Sequence, residues 1–236
     1  MNIGLIGYGK MGKAIEEIAL KRGHSISFAT NSSGIIIGNS ISNCDVVIEF
    51  SNPNSVVKNI KDCFSKGIPV VVGTTGWNNH LEEITKQCIN TNQALFHASN
   101  FSIGVNMFFA VNQKLAELMN GNLDYAIKIE ETHHTEKLDA PSGTAITLAN
   151  DIVNRVKQKT GWNLKGHTNK EDIEITSHRI DDIPGTHVIN YESEIDTIQL
   201  SHIAKNRKGF ALCSVLAAEW LQDKKGVFTM SDLLNI

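Results

Sequence analysis

The alternation of apolar and polar positions divides the chain into two unlike parts. Over the first hundred residues, short apolar runs alternate with stretches of helical period. Asn2 to Ile6 is a compact apolar run, as expected of a strand buried on both faces. Lys13 to Arg22 carries Ile15, Ile18, Ala19 and Leu20 at helical spacing, and Gly23 closes it. Ser25 to Thr30 and Asp45 to Phe50 predict two further strands, and Asn54 to Lys66 a helix stopped by Gly67. A fourth strand over Pro69 to Val72, a helix over Leu81 to Asn90 and a fifth strand over Ala94 to His97 complete the series. Strands alternating with helices predict an α/β fold with a doubly wound parallel sheet.

Beyond residue 101 the rhythm changes. Gly104 to Met119 reads as a long helix, Ala126 to His133 as a strand and Thr144 to Lys159 as another helix. From Ile173 to Ile203 the residues alternate in strand fashion (Ile173 to Ile175, Thr186 to Glu192, Ile195 to His202), with Pro184-Gly185 between. This spacing predicts a second, α+β domain containing a mixed or antiparallel sheet. Phe210 to Leu221 returns to a helix. The expected division is therefore a dinucleotide-binding domain at 1–101 plus 207–236, with the α+β domain at 102–206.

Composition narrows the function. A chain of 236 residues with 41% hydrophobic and 20% charged content is ordinary globular protein. The net charge of −3 argues against nucleic acid as a partner, because phosphate contacts need a basic surface. A site for an anion must then gather its cations locally. Cys44, Cys63, Cys88 and Cys213 form no C-x-x-C pair, which argues against zinc or dithiol chemistry and predicts small buried hydrophobes. No stretch approaches the ~20 apolar residues of a membrane span. Ile3 to Ile6 is too short for a signal segment, so a cytoplasmic protein is expected.

Gly7-Tyr8-Gly9-Lys10-Met11-Gly12 stands between the first strand and the first helix, the context a dinucleotide fingerprint requires. Gly7 permits the turn, Gly9 lets backbone approach a pyrophosphate, and Gly12 allows helix and strand to pack closely, as in a Rossmann-type fold. The helix N-terminus offers free N–H groups and a positive dipole end. At the end of the second strand, where an acid selects NAD, stands Thr30-Asn31-Ser32-Ser33. Neither acid nor arginine is present, so NADH and NADPH are both expected to bind, with a lean to NADPH. Gly73-Thr74-Thr75-Gly76 and Ser99-Asn100-Phe101-Ser102 follow later strands, and Asn100 is a candidate partner for a carboxamide.

The densest chemistry lies at 133–144, His-His-Thr-Glu-Lys-Leu-Asp-Ala-Pro-Ser-Gly-Thr. Two imidazoles, an ammonium and a turn that opens a helix are what a site needs to hold a small carboxylate and protonate it. Ser142 is a candidate N-cap, which leaves the N–H groups of Gly143 and Thr144 facing outwards. Asp139 and Pro141 are expected to shape the turn.

Glu131 to Ala145 as a whole resembles the E-x-H-H-x-x-K-x-D-A-P-S-G-T-A signature of the 4-hydroxy-tetrahydrodipicolinate (dihydrodipicolinate) reductases. Gly7 to Gly12, Gly73 to Gly76, Asn100 to Asn106, Ser201-His202 with Arg207, and Gly226 to Leu234 are similar to the same family. The resemblance implies a catalytic proton donor or acceptor at His133 and a charge-stabilising or proton-donating lysine at Lys137. It implies substrate binding by His134, Gly143 and Thr144, and cofactor binding by Gly7 to Gly12, Gly73 to Thr75 and Ala98 to Phe101. It also implies a dicarboxylate substrate, a role in lysine and diaminopimelate biosynthesis, and a homotetramer assembled through the second domain. The family's acidic position falls on Asn31, and the segment Asn31 to Asn43 is shorter than in many members. Two other readings compete: another NAD(P)-dependent dehydrogenase of aspartate-family metabolism, or a non-catalytic NAD(P)-binding sensor. The first needs a nucleophilic cysteine or a different lysine–aspartate arrangement, and the second has no use for a proton donor.

Overall fold

The structure is a computed structural model that describes residues 1–38, 40–166, 169, 171–206 and 208–236. It divides into two compact units, Met1–Ile103 with Lys208–Ile236, and Gly104–Arg207. Arg207, which with Ser201-His202 is part of the family resemblance, lies outside the described residues.

In the first unit β1 (Asn2–Ile6), α1 (Lys10–Lys21), β2 (Ser25–Asn31), β3 (Gly34–Ile37), β4 (Val46–Glu49), α2 (Val56–Ser65), β5 (Val70–Val72), α3 (Leu81–Asn90) and β6 (Ala94–His97) follow in order. The apolar runs became strands because both faces of the sheet are covered: Ile3, Leu5 and Ile48 pack on one side, Val47, Val70 and Val72 on the other. Helix α6 (Lys208–Leu221), β12 (Gly226–Phe228) and α7 (Met230–Leu234) complete this unit. The sheet runs β12-β6-β5-β4-β1-β2-β3, parallel throughout except for β3. Its order reverses at β1, so the carboxyl ends of β1 and β4 flank the crevice where doubly wound folds take ligands.

The second unit holds α4 (Ile103–Met119, its first residue in the first unit), β7 (Ala126–His133), α5 (Gly143–Val153), β8 (Gly161–Leu164), β9 (Asp172–Arg179), β10 (Thr186–Glu192) and β11 (Thr197–Ile203). The sheet order is β11-β10-β7-β9-β8, antiparallel on the β10 side and parallel on the β9 side. Its core joins Ile127, Ile129, Ile175 and Ile189 of the sheet to Leu148 and Ile152 of α5 and Ala116 of α4.

Several boundaries differ from expectation. Helix α1 starts at Lys10 rather than Lys13, so the last fingerprint glycine lies inside the helix, before its apolar stripe begins. Helix α5 stops at Val153, not Lys159: Asn154 ends it, and the following turns seat Val156 in the core and carry Lys159 to the carbonyl of Asp172. The short strands β3, β8 and β12 and helix α7 were not anticipated. Strands β3 and β8 are four-residue edge strands. A two-residue turn at Ser32-Ser33 sets Gly34 opposite Asn31, although the Gly-Ile-Ile-Ile run has no alternation to announce it. All four cysteines are buried free thiols, and burial pushes Cys63 up to about 12.

Candidate active site

The fingerprint loop of the first unit separates its three glycines by what surrounds them. Gly7 has φ +98°, and a Cβ there would lie 2.0 Å from the Phe50 carbonyl oxygen. A Cβ at Gly12 would lie 2.5 Å from the Gly7 carbonyl oxygen, so helix and strand cross in contact. At Gly9 a Cβ would meet nothing within 4 Å, which leaves open space in front of backbone at the start of α1. That combination of closed, open and closed fits a pyrophosphate cradle. The N–H groups of Gly7 and Tyr8 both donate to the Thr30 carbonyl, at 2.9 and 2.8 Å, tying the loop to the end of β2. Tyr8 donates its hydroxyl to Glu16, Lys10 is exposed, and Met11 packs against the core.

Because β1, β2, β5 and β6 run parallel, the other predicted cofactor positions arrive at the same carboxyl edge. The Asn31 side chain accepts from the Ser33 N–H at 2.8 Å. Thr74 accepts the Ser51 N–H on its hydroxyl oxygen and the Trp77 indole N–H on its carbonyl, both at 2.8 Å. A Cβ at Gly73 would lie 2.1 Å from the Phe50 ring, and Thr75 follows on the same loop. After β6, Ala98 bonds its N–H to the Val72 carbonyl, and the Asn100 side chain accepts from the Ser102 N–H. Ser99 lies between them. The Phe101 ring is buried against Phe50 and Phe96, so only its backbone is available at this edge.

The second unit gathers its polar groups at the carboxyl end of β7. Alternation along this strand sends Ile127, Ile129, Glu131 and His133 to one buried face. Sheet register then sets His187 of β10 and Ser177 of β9 beside Glu131, and Arg179 beside His133. Four of the buried polar side chains meet here: Glu131, fully buried, with His133, Ser142 and His187. The Glu131 carboxylate stands 2.7 Å from His133 Nδ1 and 3.1 Å from Arg179 Nη2, and accepts the Ser142 N–H at 3.2 Å. Burial alone would raise this carboxyl, but His133, Ser142 and Arg179 outweigh it and hold it well below the usual carboxylate range. The His133 and His187 rings are 5.1 Å apart, edge to face. Burial, with His133 adding to it, pushes His187 down to about 4, so its ring is neutral at cellular pH. The ligand atoms of Glu131, His133 and His187 lie within 4.8 Å of one another, close enough to share a metal ion. Arg179 already gives the carboxylate its cation, and the set is an ion-pair network.

Ser142 caps α5 as expected: its hydroxyl oxygen accepts the Ala145 N–H at 3.2 Å and its Oγ lies 3.2 Å from His187 Nε2. The N–H groups of Gly143 and Thr144 therefore open the helix, and a Cβ at Gly143 would meet nothing within 4 Å. Lys137 is bidentate to Asp139, at 2.7 and 2.9 Å, which gives Asp139 a charge role as well as the turn role expected of it. Arg179 donates to the carbonyls of Lys137 and Asp139, at 3.2 and 2.5 Å, so it holds the signature loop against the sheet. His134 lines a cavity of about 350 Å³ with Thr135, Asp181, Asp182 and Asn206. A larger cavity, about 470 Å³, opens around Tyr125, Lys128 and Tyr191 at the other end of the same sheet, and no signature residue reaches it.

Sequence reasoning gave no role to Arg179 or His187. Neither carries a local signal, since each is placed by strand pairing. Glu131 belongs to the signature segment without an implied role, yet its two-residue offset from His133 on a strand puts both on one face.

Comparison with known proteins follows the same division. Residues 1–101 match the family described as dihydrodipicolinate reductase, N-terminus, and residues 104–234 the family described as dihydrodipicolinate reductase, C-terminus. The chain is 48% identical to the 4-hydroxy-tetrahydrodipicolinate reductase of Christiangramia forsetii, covering 100% of this chain and 98% of that one. It is 31% identical to the enzyme of that name from Neisseria meningitidis serogroup B, covering 94% and 84%. Among solved structures, a dipicolinate-bound dihydrodipicolinate reductase from Paenisporosarcina sp. TG-14 superposes with TM-score 0.75 at 22% identity, covering 97% of each chain. That last likeness bears on the fold alone.

Proposed function

This chain belongs to the dihydrodipicolinate reductase family, and on that premise we propose roles for its residues in the family's reaction. The reaction is the NAD(P)H-dependent reduction of 4-hydroxy-tetrahydrodipicolinate to tetrahydrodipicolinate in lysine and diaminopimelate biosynthesis. NADH or NADPH, when bound, supplies the hydride that adds to the conjugated imine. The loop Gly7 to Gly12 takes the pyrophosphate, Asn31 lies toward the adenine-side ribose, and Gly73 to Thr75 with Ala98 to Phe101 line the nicotinamide side. The lean to NADPH rests on the absence of an acid at Asn31, whose side chain is already spent on a turn. Steady-state kcat/KM values favouring NADH by more than about tenfold, ~1.4 kcal/mol, overturn that lean.

Hydride addition leaves negative charge on the far side of the conjugated system, which a proton must quench. His133 supplies that proton, since an imidazole can both give and take one. Lys137 exchanges Asp139 for a substrate carboxylate and favours the electron-rich transition state. His134 and the N–H groups of Gly143 and Thr144 hold the substrate's carboxylates at the positive end of α5. The single observation that carries this reading is a buried histidine beside a fully buried, ion-paired carboxylate, next to a capped helix N-terminus. It also favours the reductase over a sensor, because a binding module gains nothing from such a costly cluster.

A cytoplasmic enzyme is supported by four reduced, buried cysteines. A homotetramer built through the mixed sheet is supported by β11, an edge strand that leaves Ile198 and Ile203 exposed. Sedimentation velocity giving a single species near 26 kDa, the mass of one chain, rules the tetramer out. The decisive test of the activity is loss of NADPH absorbance at 340 nm with freshly made substrate, inhibited by pyridine-2,6-dicarboxylate. No substrate-dependent oxidation with either nucleotide removes the proposed roles.

A further inference from the structure

We infer that Glu131 is a positioning residue for His133: it faces the Nδ1 edge of the ring, so that Nε2 is the nitrogen that carries the reactive proton. The inference rests on the reading of His133 as the proton donor and adds which nitrogen acts and what selects it.

Glu131 Oε2 and His133 Nδ1 lie 2.7 Å apart, and both atoms are buried. Among the described residues neither atom has a hydrogen-bond partner, so this ion-pair contact is each one's sole compensation for lost water. The carboxylate is in turn held on its second oxygen by Arg179 and by the Ser142 N–H. It therefore cannot swing away without breaking the loop that carries Lys137 and Asp139, because the same guanidinium holds that loop. Among the described residues His133 Nε2 has no hydrogen-bond partner. Gly185 keeps that edge uncrowded, since a Cβ there would lie 3.1 Å from Nε2.

Which ring nitrogen bears the proton is set by what the other one contacts. An anion at Nδ1 keeps a proton there through the whole cycle. When the doubly protonated ring gives up a proton it does so from Nε2 and returns to the Nδ1–H tautomer. The other charged or titratable groups around the His133–His187 pair are Arg179 from β9, His202 from β11 beside His187, and Lys137 with Asp139 from the loop. His187 is neutral and meets Ser142 through its own Nε2, so it does not compete for Glu131 by charge.

The test begins with the unaltered protein. In the ¹⁵N-histidine spectrum at alkaline pH, with the His133 signals assigned by their loss in His133→Gln, the neutral ring should show Nδ1 protonated and Nε2 bare. The reverse tautomer overturns the inference whatever the activity. Glu131→Gln keeps the shape and removes the charge: kcat should fall at least about tenfold, with KM for the dicarboxylate changed less than threefold and the tautomers mixed. An unchanged kcat also overturns it. So does a fall in kcat with the tautomer intact, since that is what a merely structural role predicts. If His133→Gln itself keeps normal kcat, the underlying assignment of the proton donor falls, and the inference with it, while the tautomer result stands as measured.

Discussion

The carboxyl edge of the first unit and the imidazole cluster of the second are made of opposite materials. The first is backbone: two glycines wedged against main chain, one glycine facing empty space, and short polar side chains that accept backbone N–H groups. The second is side-chain charge: a fully buried carboxylate, an arginine, two imidazoles and a lysine–aspartate pair, each positioned by another. A backbone cradle costs little to desolvate and has nothing to titrate. A buried ionic cluster is costly unless every partner is present, so it fails steeply when one is lost. The contrast matches the two tasks proposed for them, since a common nucleotide needs only shape and dipoles whereas a proton must be delivered from a defined atom.

Substitutions sharpen the contrast. The largest effect expected is from His133→Gln, which should lower kcat by ~10²–10⁴ while leaving the NADPH dissociation constant within twofold, as measured by fluorescence titration. A matching rise in that constant would mean the two regions are not separate in function. Arg179→Met leaves the Glu131 charge buried without its guanidinium and should cost roughly 3 kcal/mol in urea unfolding. A loss below about 0.5 kcal/mol would show that water or His133 replaces the arginine.

Acid comes next. His187 is pushed to about 4 in the native protein, against 6.5 ordinarily, so the unfolded ring binds a proton where the native one does not. The stability it contributes is complete above about pH 6.5 and is lost as pH falls toward 4, by up to roughly 3 kcal/mol. Urea midpoints across that window should fall, and His187→Gln should flatten the slope; an equal slope in both proteins assigns the loss elsewhere. Smallest is the glycine pair. Gly7→Ala should cost ~1–3 kcal/mol through backbone strain, seen as a lower Tm. Gly9→Ala should leave Tm unchanged and weaken NADPH about tenfold, ~1.4 kcal/mol. Equal melting losses at the two positions would remove the distinction between closed and open glycines.

Legibility in the sequence followed the same division. The first unit's strands β1, β5 and β6 and helix α3 stood in the apolar pattern to within a residue, because a parallel sheet covered on both faces demands continuous apolar runs. Edge strands β3 and β8 did not stand out, since only one neighbour constrains them and four residues are too few to show a period. In the second unit β7 and β10 were legible from alternation, but the overlong reading of α5 missed that Val156 enters the core through a turn.

The chain's residue order by itself determined the glycine loop proposed as the nucleotide cradle, the histidine–lysine signature and the alternation that separates the two units. Glycine spacing, strand alternation and helix capping act over a few neighbouring residues, and their physics is local. Only the tertiary structure decided that Arg179 and His187, more than forty residues further along, enclose Glu131 and His133. That meeting depends on strand register, which arises from pairing between distant segments and leaves no mark on either segment alone.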